Sequence, residues 1–169
     1  MKKNIVIFIF IYIFFLYSCA IFNSYEKQIN NYSYPNNLSP DKTLQMDNGY
    51  FEKSLMQGFD AKIQASVVDF KEGELNNDDT DDAISIVAVS TSGNEVYYYL
   101  YAFTGKNGDL KYVNHILIGD RIKIKLLKIM NKKIYLAFLT KDQNDSQDNP
   151  TQLKKVVLIL KDNKLIQTK

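Results

Sequence analysis

Glu95-Val96-Tyr97-Tyr98-Tyr99-Leu100-Tyr101-Ala102-Phe103-Thr104 runs into Gly105-Lys106-Asn107-Gly108, and an apolar-rich stretch resumes at residues 111–118. Aromatic and β-branched runs on either side of a Gly/Asn turn read as a β-hairpin. The same grammar extends in both directions. Upstream, Ile63, Ala65 and Val67 alternate with Lys62, Gln64 and Ser66, Asn48-Gly49 marks a turn, and residues 84–90 precede the turn Ser92-Gly93-Asn94. Downstream come 121–129, the turn 130–133, then 134–140, a polar loop at 142–151, and 153–160 with 164–167 around Asp162-Asn163. Short strands at even spacing predict a mainly β fold, an antiparallel meander curled into a sandwich or partial barrel. At most one short helix is expected after the N-terminal segment, near 52–58. The near-continuous apolar stretch 156–160 suits a sheet covered on both faces.

The N-terminus has a different character. Lys2 and Lys3 precede thirteen uncharged apolar or aromatic residues, 5–17, and then Ser18-Cys19-Ala20. That length fits a signal-peptide core and falls short of the roughly 20 residues a spanning helix needs; the rival readings are an uncleaved anchor running on through Ala20-Ile21-Phe22 and, last, a buried structural helix. The arrangement resembles a bacterial lipoprotein signal, which implies cleavage before Cys19 and a covalent lipid on it. The division that follows is 1–18 signal-peptide helix, 19–45 lipidated N-terminus with a flexible tether, and 46–169 a single β-rich domain. The tether is read from composition, since 20–45 is rich in Asn, Ser, Tyr and Gln with Pro35 and Pro40. Ala20 in place of aspartate after the cysteine favours the outer membrane of the cell envelope, where the organism has one.

Charge excludes one class of partner. The chain has 21 basic and 19 acidic residues, and without Lys2 and Lys3 it is formally neutral. Nothing in that balance calls for nucleic acid. With Cys19 the only cysteine, the domain has no internal disulfide and must hold by packing.

Glu74-Leu75-Asn76-Asn77-Asp78-Asp79-Thr80-Asp81-Asp82-Ala83 carries the clearest chemistry, inside a strongly acidic stretch from Asp69 to Asp82. Side-chain oxygens at Glu74, Asn76, Asp78 and Asp82, with the Thr80 carbonyl, match the first nine positions of a calcium loop, in which alternate oxygens turn inward on a hard cation. Asp79 stands where such loops carry glycine, and Ser85 where they carry a bidentate carboxylate. The competing reading is a metal-free polar hairpin.

Met46-Asp47-Asn48-Gly49-Tyr50, this loop, Tyr97-Tyr98-Tyr99-Leu100, Leu117-Ile118-Gly119-Asp120-Arg121-Ile122 and Pro150-Thr151 together resemble a set of uncharacterised bacterial lipoproteins. Their acidic loop usually reads Gly-Asp-Leu-Asn-Gly-Asp-Gly. The resemblance implies a cell-envelope address and a domain covering about residues 45–168, and no activity. Those relatives often carry a cysteine pair before the Pro-Thr, where Asp148-Asn149 stand here.

Three further features have two readings each. Arg121, Lys123 and Lys125 alternate with Ile122, Ile124 and Leu126, either a patch for anionic lipid or polysaccharide or the solvated face of an outer strand. Tyr97, Tyr99 and Tyr101 share one strand face, either a stacking surface or half-buried residues with surface hydroxyls. His115 is the sole histidine and has neither a nucleophile motif nor zinc-ligand company, so it reads as a packed or edge strand residue. The expected function is a non-enzymatic, lipid-anchored envelope protein that binds an envelope protein, glycan or lipid or is structural. A small-ligand or lipid carrier with an apolar pocket is the alternative, and a carboxylate-only hydrolase the least favoured.

Overall fold

A computed structural model of the chain describes residues 24–55, 61–142, 145 and 149–168. Residues 1–18 and Cys19, with the signal and lipidation expectations they carry, lie outside the described residues.

Among the described residues, eleven strands follow a short helix: α1 (Ser24–Asn30), β1 (Ser33–Pro35), β2 (Thr43–Gln45), β3 (Tyr50–Ser54), β4 (Lys62–Gly73), β5 (Asp82–Ser90), β6 (Val96–Lys106), β7 (Asp109–Asp120), β8 (Lys123–Met130), β9 (Lys133–Thr140), β10 (Gln152–Lys161) and β11 (Lys164–Gln167). The expected antiparallel meander is present and folds once. Strands β3-β4-β5-β6-β7 form one sheet in sequence order, and β8-β9-β10-β11 form a second. The two pack face to face as a sandwich without closing into a barrel. Tight turns set the registers. Asn48-Gly49 (φ 49° and 81°), Asn107-Gly108 (55° and 87°), Asn131-Lys132 (51° and 58°) and Asp162-Asn163 (50° and 58°) are left-handed at both central positions. Such turns match the right-handed twist of the strands they join.

A third layer corrects the extent of the tether. From Ser24 the chain is folded: α1 and the β1–β2 hairpin lie on the face of the five-stranded sheet opposite the sandwich interface. Ile29, Tyr34 and Leu44 are completely buried there, with Met46 beside them. Polar composition misled because few apolar residues suffice when the backbone is satisfied locally. Met46 N donates to Tyr32 O (3.1 Å), Asn36 N to Lys42 O (2.9 Å) and Gly49 N to Asn30 O (2.7 Å). The helix expected near 52–58 is absent from its described part, since Glu52 lies in β3, which pairs with β4; residues 56–60 lie outside the described residues.

The five-stranded sheet therefore has a core on each face. Ile63, Ala83, Val87, Tyr101 and Phe103 pack under the N-terminal layer, whereas Ile84, Ile86, Leu100, Ile134, Leu136 and Leu158 fill the space between the sheets. The strand covered on both faces is β5, whose apolar run allows it. The expectation placed double coverage on 156–160, but β10 belongs to the outer sheet, with Leu158 turned inward and Lys154 and Lys155 exposed.

Candidate functional site

The acidic loop is shorter than its composition suggests, because β4 runs to Gly73 and takes Asp69 into the strand, ion-paired with Lys71 at 2.6 Å. Between Gly73 and Asp82 the loop's carboxylates accept hydrogen bonds from its own backbone. Glu74 receives the amides of Asn76 (2.9 Å) and Asn77 (2.6 Å) on one oxygen and that of Asp79 (2.7 Å) on the other. Asn76 Oδ1 accepts from Asp78 N (3.0 Å), Asp78 Oδ1 from Thr80 N (2.9 Å), and Asp78 Oδ2 from the Asn76 amide group (2.9 Å). Asp79 takes the left-handed conformation, φ 62°, that glycine adopts at this place in a calcium loop.

Asp82 plays another part. It is fully buried, and its two oxygens accept Leu75 N (2.8 Å) and Gly105 N (3.1 Å), tying the loop to β6. Burial raises its carboxyl above the usual range against the pull of those two amides. At Glu74 the loop amides outweigh a burial effect and lower the carboxyl, and at Asp78 the Asn76 amide group leads in lowering it. Among the described residues, no three His, Cys, Asp or Glu side chains converge as metal ligands would. Gly105 permits the arrangement by close approach: a Cβ there would collide with Asp81 O and the Tyr25 hydroxyl.

The tyrosine face lies mostly beneath the N-terminal layer. Tyr101 is fully buried, and its hydroxyl donates to Pro35 O (2.9 Å) and accepts from Asn36 Nδ2 (3.2 Å), so that hydroxyl is not at the surface. Tyr97 and Tyr99 are half-buried, as the packed reading expects. His115 stacks on Tyr101 with ring centroids 4.8 Å apart, and its Nδ1 lies 2.8 Å from the Tyr112 hydroxyl. Burial lowers its pKa, as suits a packed residue.

The cation alternation at 121–126 is broken. Arg121 precedes the strand with φ 47° and pairs with Asp120 at 2.6 Å. A bulge at Lys125 shifts the register between Ile124 and Leu126. Leu126 consequently turns outward, 48% exposed, and Leu127 takes the inward position.

A larger feature escaped residue-by-residue reading. Residues 24–120 hold 7 basic and 15 acidic side chains, whereas 121–169 hold 12 and 4. The fold converts this into a separation between layers. The four outer strands carry eight exposed lysines, 123, 125, 128, 133, 154, 155, 161 and 164, and no carboxylate. Every ion pair found among the described residues lies in the first 121, at Lys53–Asp41, Lys62–Glu52, Lys71–Asp69 and Arg121–Asp120. Leu126, Met130, Leu153 and Ile166 stand exposed on the lysine-bearing sheet. Where β7 meets β11, a cleft of about 210 Å³ is lined by Ile116, Ile118, Phe138, Val156, Leu165 and Gln167.

These elements define a three-layered, mainly β domain with one strongly basic outer sheet. Comparisons with protein-family models, with curated proteins and with solved structures find no match.

Proposed function

We propose that this chain is a lipid-anchored cell-envelope protein whose β-domain works as a non-enzymatic binding module. The observation that carries the binding role is the outer sheet, with eight lysines, no carboxylate and four exposed apolar side chains. Charge left unpaired on one sheet raises self-repulsion, which an anionic partner relieves. The anchor rests on Lys2-Lys3, residues 5–17 and Ser18-Cys19, and on the resemblance to bacterial lipoproteins. Labelled palmitate supplied to bacteria expressing the full chain is expected to enter the protein. Cys19→Ser is expected to abolish labelling and leave the precursor uncut; undiminished labelling would refute the assignment.

The cleft at the β7/β11 edge favours a second reading, a carrier of a small apolar ligand or lipid. Lipid co-purifying in stoichiometric amount with residues 24–169 would support it, and repeated absence would count against it.

Calcium is the cation proposed for the acidic loop. Glu74, Asn76, Asp78 and Asp82 would have to exchange amide hydrogen bonds for metal, with Thr80 adding its carbonyl, which points to weak binding with a Kd of about 10⁻⁴–10⁻³ M. In about 5 mM calcium such a site adds about 1–2 kcal/mol to stability by mass action. The expected result is a melt of residues 24–169 several degrees above that in chelator, with the gain lost in Asp78→Ala. Coincident melts would make the loop a self-satisfied connection.

A further inference from the structure

We infer that the outer face of the β8-β9-β10-β11 sheet is the docking surface for an acidic protein partner, a face that the anchoring membrane does not cover. This deepens the binding-module reading and takes its orientation from the lipid anchor on Cys19.

The register places the face's side chains. Lys123, Leu139 and Leu153 are cross-strand neighbours, as are Leu126, Ala137 and Lys155, then Lys128, Tyr135 and Val157. Lys161 and Lys164 face each other at the end of the sheet, next to the pair Ile159 and Ile166. Exposed apolar side chains and lysines thus interleave across the face: Leu126 and Met130 on edge strand β8, Leu153 at the start of β10 and Ile166 on edge strand β11 stand beside Lys128, Lys133, Lys155 and Lys164. A solvated sheet face would carry carboxylates among its lysines and few large apolar groups; this face reverses both expectations.

Three arguments select the occupant. The lysines call for an anion, and none of the four strands supplies one. Leu126 (48% exposed), Met130 (41%), Leu153 (52%) and Ile166 (42%) would gain nothing from a highly hydrated anionic glycan. Interleaved with the lysines, they suit a protein partner that offers apolar groups along with carboxylates. Four strands about 4.8 Å apart and about eight residues long span roughly 500 Å², the small end of one side of a protein–protein interface.

Chain reach separates a protein from the anchoring bilayer. The layers run α1 with β1–β2, then the five-stranded sheet, then the outer sheet. At about 10 Å between layers, the start of α1 stands about 20 Å from the outer sheet's plane, and its side chains reach beyond that. From Cys19 to Ser24 the chain spans at most about 18 Å. A lipid on Cys19 therefore cannot lie in a bilayer on which the outer sheet rests flat. The lysine face is left free of the anchoring bilayer to meet a partner.

The test uses the full chain held in phosphatidylcholine nanodiscs. Three soluble or particulate probes are compared: poly-glutamate, a random glutamate–tyrosine copolymer of equal length, and phosphatidylglycerol vesicles. The copolymer is expected to bind about ten-fold more tightly than poly-glutamate, because it offers apolar groups along with charge. Leu126→Ser with Leu153→Ser is expected to erase that difference, and Lys128→Glu with Lys155→Glu to lose both polymers. All four positions are exposed, so unchanged melting temperatures confirm that the variants fold. Equal binding of the two polymers would overturn the proposal, and so would tighter binding of the vesicles, which would make the face a lipid surface. Protein that fails to stay with the discs would refute the anchor instead, a distinguishable outcome.

Discussion

Tyr34→Ala is expected to cost the domain about 3–5 kcal/mol, the range for emptying a buried aromatic site. Composition assigns Tyr34 to a tether, where such a change would do nothing. In the fold its ring is completely buried and meets Tyr101 edge-on at 4.8 Å and Phe103 at 5.8 Å. Its hydroxyl donates to Ile29 O at 2.9 Å, closing the end of α1 onto β1, and accepts from Ser85 Oγ at 3.2 Å. Removing the side chain leaves a cavity between layers and an unpartnered hydroxyl on β5. Tyr34→Phe keeps the ring and is expected to cost about 1 kcal/mol, the scale of one hydrogen bond. Urea unfolding of residues 24–169 measures both; coincident curves for wild type and Tyr34→Ala would mean that the N-terminal layer does not cover the sheet.

How far the sequence could be read depended on whether the deciding interaction was local. Asn48-Gly49 and Asn107-Gly108 announce their turns because the left-handed backbone they adopt is a property of those residues. The strands of the hairpin at Asn107-Gly108 follow from period and composition. Tyr34 and Leu44 gave no such signal, since three-residue strands have no period and their burial comes from a sheet far along the chain. The bulge at Lys125 was equally silent. One extra residue reverses every side chain beyond it, and that put Leu126 outside where alternation put it inside. The lysine surplus after Arg121 was countable from the start, but it acquired meaning only once those strands proved to share one uncovered sheet. At the acidic loop, the pattern of oxygens was legible. Their present partners were not, because backbone amides have no letter in a sequence.

Asp82→Ala is the second large effect, expected to cost about 2–4 kcal/mol. A solvent-facing cation ligand would be nearly neutral when metal is absent. Asp82 instead holds two backbone amides, Leu75 N of the loop at 2.8 Å and Gly105 N of β6 at 3.1 Å, and truncation leaves both donors without their acceptor. Asp82→Asn retains one acceptor oxygen but presents an amide group to the second donor, so it is expected to cost less than alanine and more than Asp78→Ala in chelator. The pH dependence separates this role from simple packing. Burial holds the Asp82 carboxyl above its unfolded value, so the folded state keeps a proton that the unfolded chain has released. The group's contribution to stability therefore falls as pH rises from the unfolded value through the higher folded one. Glu74 and Asp78 run the other way: their folded values are lowered, and the stability they add is lost as pH falls through those values. Comparing melts of wild type and Asp82→Asn from about pH 3 to 6 isolates the difference. The variant is expected to lose the component that declines with rising pH and keep the one that grows. Identical pH profiles for the two would show that Asp82 titrates as it does in the unfolded chain, its two amides offsetting the effect of burial.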